Sequence, residues 1–235
     1  MQNIQQIIGQ TLPPPKPYSR TDETLRLIDG LPADTELVLH GQNWHDYEDV
    51  LEAVGEAAWL RIAFDGETLQ IMTLSTTHQK LAHLLDSIIR IISLRLNIEI
   101  EGYGSSTVKL SKEQKGLEPD ACYYVQNVDA IGGRSVIDFS VDPMPDIAVE
   151  IDLYNTSLDK LNIYSALGFP EVWRYFRDKF EFYKLEEGSY VPIDRSIALP
   201  ILTTDVLAGF LNRARNEKQT AILRDFETWL TASGS

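Results

Sequence analysis

Pro145-Asp146-Ile147-Ala148-Val149-Glu150-Ile151-Asp152 opens the stretch that decides the fold. A polar turn follows, then residues 158–167, then Gly168-Phe169-Pro170-Glu171-Val172-Trp173-Arg174-Tyr175-Phe176. A short apolar run, a helical period and an aromatic run make a strand–helix–strand pattern, which places the chain in the α/β (α+β) class. Asn155, Thr156 and Ser157 supply helix N-cap candidates, and Gly168-Phe169-Pro170 stops the helix. Residues two apart on a strand point the same way, so Glu150 and Asp152 should leave one face side by side.

Lys160 stands on the helix and shares a face with Ile163, Tyr164 and Leu167, at spacings of three, four and seven. Those neighbours look inward, so Lys160 either points inward beside the strand carboxylates or snorkels past an apolar face to water.

Working outward from this stretch, the chain has 235 residues, 43% apolar and 24% charged, which suits one soluble domain with a sizeable core. Residues 1–40 read as a proline-rich arm (Pro13-Pro14-Pro15-Lys16-Pro17) with short elements. Residues 41–212 form the main domain. Residues 213–235 carry an amphipathic helix with Ile222, Leu223, Phe226, Trp229 and Leu230 along one stripe, facing the same core or a partner. The arm and this stripe suggest a homodimer. The single Cys122 excludes an intrachain disulfide and a cysteine zinc cluster. With no secretory signal and no uninterrupted apolar span, the expected location is cytoplasmic. The net charge of −14 weighs against a broad basic surface for nucleic acid, so DNA contact would need a local patch, a metal ion or dimer geometry.

Along the chain, residues 21–28 predict a short helix and residues 36–40 a strand. Asn43 caps a helix reaching Gly55. Residues 59–64 and 68–74 form a hairpin about Asp65-Gly66. Ser75, Thr76 or Thr77 caps a long buried helix to about Leu96, with His78 in its first turn as a capping or surface group rather than a ligand. Residues 98–103, 107–110 and 121–125 read as strands, 111–116 as a polar loop and 127–140 as an excursion. Residues 180–185 and 190–193 form a closing hairpin, followed by a helix from Asp205 and a last helix over 217–231.

Two Pro-Asp pairs stand at strand starts, Pro119-Asp120 and Pro145-Asp146. Four residues of strand span roughly 13 Å. Oxygens on one hard cation must lie within about 2.0–2.6 Å of it. Asp146 therefore cannot share a metal with Glu150 and should bind backbone. Asp120, on a neighbouring strand, can stand next to Glu150. These two are the expected metal ligands for Mg²⁺ or Mn²⁺, with Asp152 as a further ligand or supporting group and Lys160 as auxiliary cation. No Ser-His-Asp order and no H-E-x-x-H is present.

The phrases Glu118-Pro119-Asp120, Pro145 to Asp152, Asp159-Lys160 and Gly168-Phe169-Pro170-Glu171-Val172-Trp173 resemble the Uma-type family of bacterial proteins named as restriction endonucleases. The Asp65-Gly66-Glu67 hairpin and the helix carrying His78 match as well, over roughly residues 40–210. The resemblance implies a branch of the PD-(D/E)xK nuclease superfamily, with a restriction-endonuclease-like mixed central sheet flanked by helices. It implies Mg-dependent hydrolysis of DNA phosphodiesters, with the superfamily aspartate at Asp120 and its second acid at Glu150. The superfamily lysine falls two residues after that acid, where this chain has Asp152. The resemblance implies that the lysine has moved to the following helix, at Lys160. The alternatives are an inactive binding or regulatory module on the same fold, and a metal hydrolase acting on a small phosphorylated substrate. A narrow closed pocket rather than an open groove would point to the last.

Overall fold

The computed structural model describes residues 19–134, 136–154 and 158–233. The proline arm and the cap candidates Asn155, Thr156 and Ser157 lie outside the described residues.

The first half of the chain alternates helices and short strands. Helix α1 (Arg20–Asp29) precedes β1 (Glu36–Leu39), and α2 (Trp44–Val54) precedes the hairpin β2 (Leu60–Phe64) and β3 (Leu69–Thr73). The long α3 (Thr76–Leu96) leads to β4 (Glu101–Gly102), β5 (Val108–Leu110), β6 (Lys115–Leu117) and β7 (Ala121–Tyr124). A short α4 (Val128–Ile131) interrupts the excursion before β8 (Ile147–Asp152). A 3-10 turn (Leu158–Lys160) runs into α5 (Leu161–Leu167), and β9 (Glu171–Phe176), β10 (Lys179–Glu186) and β11 (Ser189–Ile193) follow. Helices α6 (Thr204–Asn212) and α7 (Gln219–Ser233) close the described chain.

The local chemistry explains the starts. Asn43 accepts the His45 and Asp46 amides, and Asp46 returns the bond to the Asn43 amide, completing a capping box on α2. Ser75 caps α3 through the His78 amide. With Lys160 at its cap position, α5 has no side-chain cap, and it enters through the 3-10 turn instead.

The strands form two sheets where the sequence suggested one. The first, ordered β1-β3-β2-β6-β5, is antiparallel throughout. The second, ordered β11-β10-β9-β8-β7-β4, is mixed, and β8 with β9 is its parallel pair. That pair is joined by α5, the crossover a parallel connection needs. Two readings are corrected here. Lys115 and Gly116 belong, with Leu117, to a strand and not to the polar loop expected over 111–116, because β6 bridges β2 and β5. Of the strand expected over 98–103, Glu101 and Gly102 pair with β7, and the Tyr103 amide donates to the Cys122 carbonyl at 3.0 Å.

Alternation along β8 divides the core. Ile147, Val149 and Ile151 pack with α3, α6 and α7, including Leu85, Ile88, Leu207 and Phe226. Ala148, with Cys122 and Val172 on its neighbours, faces Ile163, Tyr164 and Leu167 of α5 and Val108 and Leu117 of the first sheet. The α7 stripe lies in the first of these clusters, where Ile222, Phe226 and Leu230 are fully buried. A third cluster holds α1 and α2 against β2 and β3. No described helix is long and apolar enough to cross a membrane.

Candidate active site

The acids of β8 share the parity of Ala148, so they project toward α5 rather than toward α3. Glu150 is buried, and its two oxygens meet α5 and the turn before it. Lys160 Nζ donates to Oε2 at 3.2 Å, and the Tyr164 hydroxyl donates to Oε1. The inward reading of Lys160 therefore holds, and its side chain is only 7% exposed. Four residues separate Lys160 from Tyr164, so one face of the helical segment delivers both groups to one carboxylate.

Asp120 precedes β7 in the register that sets Ala121 opposite Val149. Its amide donates to the Val149 carbonyl at 2.9 Å, and its Oδ2 accepts the Ile151 amide at 2.7 Å. The strand backbone thus fixes the carboxylate beside β8. Two side chains complete its surroundings. Arg61 Nε, from β2, reaches Oδ1 at 3.0 Å, and His78 Nε2, from α3, stands 2.9 Å from Oδ2. His78 is buried, not a capping or surface side chain, and its Nδ1 has no hydrogen-bond partner among the described residues.

Asp152 has a different partner. Arg174, on the parallel strand β9, donates from Nε to Asp152 Oδ2 at 2.6 Å and from Nη1 to Glu181 at 2.7 Å. Asp152, two residues after Glu150, thus forms a buried ion pair with Arg174. Asp146 accepts the Val125 and Asn127 amides and the Asn127 side chain, the backbone role expected of it.

Three carboxylates are therefore balanced by three fixed cations, in the pairs Asp120–Arg61, Glu150–Lys160 and Asp152–Arg174. A buried charge is costly unless paired, which explains the matching. Burial pushes the Asp120 carboxyl up, but His78, Arg61 and the Ile151 amide outweigh it and hold the group below the usual range. Burial raises Glu150 to about 7, helped by Asp120 and Asp152 and opposed by Lys160 and Tyr164. Burial pulls Lys160 down, but the surrounding carboxylates win and keep its ammonium protonated.

The donor set fits a hard divalent cation. A carboxylate offers about four lone-pair directions. Asp120 uses three of them and Glu150 two. Both therefore retain capacity for Mg²⁺ or Mn²⁺, which keep several waters when held by one or two carboxylates. Among the described residues no group of three or more His, Cys, Asp or Glu gathers around one point, so the pair would act with water as the remaining ligand.

Sequence reasoning placed Asp120, Glu150, Asp152 and Lys160 and did not assign the groups that hold them, Arg61, His78, Tyr164 and Arg174. A signal existed for two of these. Arg61 and Arg174 each interrupt an apolar strand, in Leu60-Arg61-Ile62-Ala63-Phe64 and Val172-Trp173-Arg174-Tyr175-Phe176. A charge in such a run needs a buried partner.

A family model described as "Uma2: Putative restriction endonuclease" matches residues 44–210. The chain belongs to the Uma2 family. Every residue of the Asp120–Glu150–Lys160 cluster lies inside the Uma2 match, and so do Arg61, His78, Tyr164 and Arg174. Among solved structures, the chain is similar to a "putative nuclease belonging to DUF820" from Anabaena variabilis ATCC 29413. That likeness has 16% identity and a TM-score of 0.47, and covers 69% of this chain and 97% of the other. No curated protein matches the chain.

Proposed function

We propose that this Uma2 protein is a metal-dependent endonuclease that hydrolyses phosphodiester bonds of DNA. One observation carries the reading: Asp120, Glu150 and Lys160 come from three separate segments and are buried, Lys160 bonded to Glu150 and Asp120 to Arg61 of the first sheet. Asp120 and Glu150 would hold Mg²⁺ or Mn²⁺. The ion supplies charge neutralisation at a phosphate oxygen and a more acidic bound water. Lys160 holds its proton and offers N–H donors to the charge that develops on the phosphate. Glu150, raised to about 7 by burial, must shed its proton to take the ion, so metal loading is favoured from neutrality upward. Tyr164 and Lys160 keep that carboxylate oriented, while His78 and Arg61 do the same for Asp120.

A second reading has its own support. Among the described residues, Asp120, Glu150, Asp152 and Lys160 are all almost fully buried, which suits a small phosphorylated substrate better than a duplex. The test is calorimetric titration of Mg²⁺ and Mn²⁺ into the wild type and Glu150→Ala, with plasmid cleavage on the same samples. Binding and cleavage that both vanish in the variant support the endonuclease. Metal binding without plasmid cleavage moves the assignment to the small substrate. No metal binding in the wild type sinks both readings.

A further inference from the structure

A cleft of about 470 Å³ opens between the segment before β2 and the loop before β5. Its walls include Glu56, Arg61, Ser105, Ser106, Thr107 and Glu118. Arg61 connects it to the buried acids, because the residue that lines the cleft also holds Asp120. Its Nη1 donates to the Leu60 carbonyl at 2.6 Å and to that of Ala58 at 3.4 Å. Its Nη2 meets no acceptor among the described residues. A buried guanidinium with an idle nitrogen in a cleft wall is a donor awaiting an anion.

The facing loop adds more donors. The amides of Ser105, Ser106 and Thr107 bond no protein acceptor among the described residues, and neither does the Ser105 hydroxyl. The Ser106 hydroxyl is taken by the Tyr103 carbonyl, and the Thr107 hydroxyl by Glu118. Glu118 also accepts the Ile62 amide, so both its oxygens are occupied. Glu56 is the one wall carboxylate that is exposed.

We propose that this cleft binds a single nucleotide phosphate, held between Arg61 Nη2 and the Ser105–Thr107 loop, as the substrate subsite next to Asp120. The placement rests on the nuclease reading for what happens beyond Arg61. Binding itself does not, since it needs no metal. The size fits one nucleotide, as pockets of roughly 300–1,000 Å³ hold small molecules. The charge points the same way. A chain at −14 with Glu56 at the rim disfavours a run of phosphates, while one phosphate needs one arginine and a few amides. The phosphate can belong to a free nucleotide or to one unit of a single strand, and the probes below separate them.

The experiment is calorimetric titration of the full chain in EDTA with thymidine 5′-monophosphate, single-stranded hexathymidylate and a duplex of equal length. Arg61→Gln and Ser105→Glu are titrated alongside the wild type. The wild type is expected to bind at least one of the first two probes more tightly than the duplex, and each variant to lose about tenfold or more in affinity. Monophosphate alone binding assigns a free nucleotide, and a tighter hexamer assigns a strand. Ser105 is half-exposed in a loop, so Ser105→Glu carries the test if Arg61→Gln does not fold. No binding of either single-stranded probe overturns the proposal, and so does binding unchanged in both variants. Plasmid cleavage with Mn²⁺ keeps the two readings apart. Binding without cleavage keeps the cleft and removes the nuclease. Cleavage that persists in Ser105→Glu after its binding is lost removes the cleft as the substrate site and keeps the nuclease.

Discussion

Lys160 Nζ lies 3.2 Å from Glu150 Oε2, and both side chains are closed off from water. The pair joins the edge of α5 to the C-terminal half of β8. Lys160→Met would leave the Glu150 carboxylate with only Tyr164 as donor. Breaking a buried pair by removing one partner costs about 3–5 kcal/mol. Urea unfolding at neutral pH should show a loss of that size. The double variant Lys160→Met/Glu150→Gln should regain most of it while remaining inactive. A double variant no more stable than the single one would contradict the pairing.

The pH dependence follows from Glu150. Its folded value is about 7, against 4.5 when unperturbed. The folded state therefore binds more protons than the unfolded one between these values, and the Glu150 contribution to stability falls as pH rises from 4.5 to 7. Asp120 runs the other way, with a depressed value whose stabilisation is lost as pH falls. Unfolding free energies of wild type and Glu150→Gln, measured from pH 4.5 to 8, should diverge across this window, the wild type losing stability relative to the variant. Mn²⁺ affinity of the wild type should climb with pH and level off above about 7, as the metal requires the carboxylate.

His78 and the Ile151 amide hold Asp120 Oδ2, which leaves the spare lone pair on Oδ1 beside Arg61. Loss of a group that orients a metal ligand typically costs about 10–100-fold in metal affinity. His78→Ala should show that loss in Mn²⁺ calorimetry. His78→Gln, which can still donate to Asp120, should recover part of it. Equal affinity in all three proteins would remove His78 from the site.

Placing a lysine two residues after Glu150 should fail. Asp152→Lys would set an ammonium against the Arg174 guanidinium, now 2.6 Å from the Asp152 carboxylate. Two facing buried cations would destabilise the fold by about 3–5 kcal/mol or more. Thermal melting should register a lower midpoint, with no gain in cleavage.

A packing test lies away from the acids. A Cβ on Gly116 would meet the Tyr47 hydroxyl, with Lys109 Cβ at 2.8 Å and Tyr47 Cζ at 2.9 Å. Gly116→Ala should cost about 1–3 kcal/mol through overpacking. Among the described residues the buried Tyr47 hydroxyl has no hydrogen-bond partner, so Tyr47→Phe should be near neutral alone and should return part of the loss in the double variant.

The order of elements could be read from sequence because its signals are local. Asp65-Gly66 set the first hairpin, Asn43 and Ser75 capped their helices, and Gly168 closed α5. Parity alone put Glu150 and Asp152 on one face, and elimination by distance left Asp146 to the backbone. What stayed hidden was pairing between distant segments. Arg61 lies 59 residues from Asp120 and His78 lies 42 away, and no periodicity encodes such contacts. The split into two sheets was hidden for the same reason. It turns on β6, a three-residue strand whose Lys115 and Gly116 look like loop and whose place is set by β2 and β5.

Among the described residues, β8 and β9 are the one parallel pair in two otherwise antiparallel sheets. A parallel strand cannot zip from a tight turn, so it waits for its crossover. During synthesis, β7 and β8 can pair as soon as they leave the ribosome, before Arg174, the ion-pair partner of Asp152, has been made. Lys160 arrives with the turn, and Arg174 only with β9. Until residue 176 is in place, the growing chain lacks the Asp152–Arg174 ion pair and leaves the β8 edge uncovered. Charge balance in the acid cluster is thus a late event in the life of the molecule, and a chain truncated inside α5 should be marked for aggregation or degradation, not merely inactive.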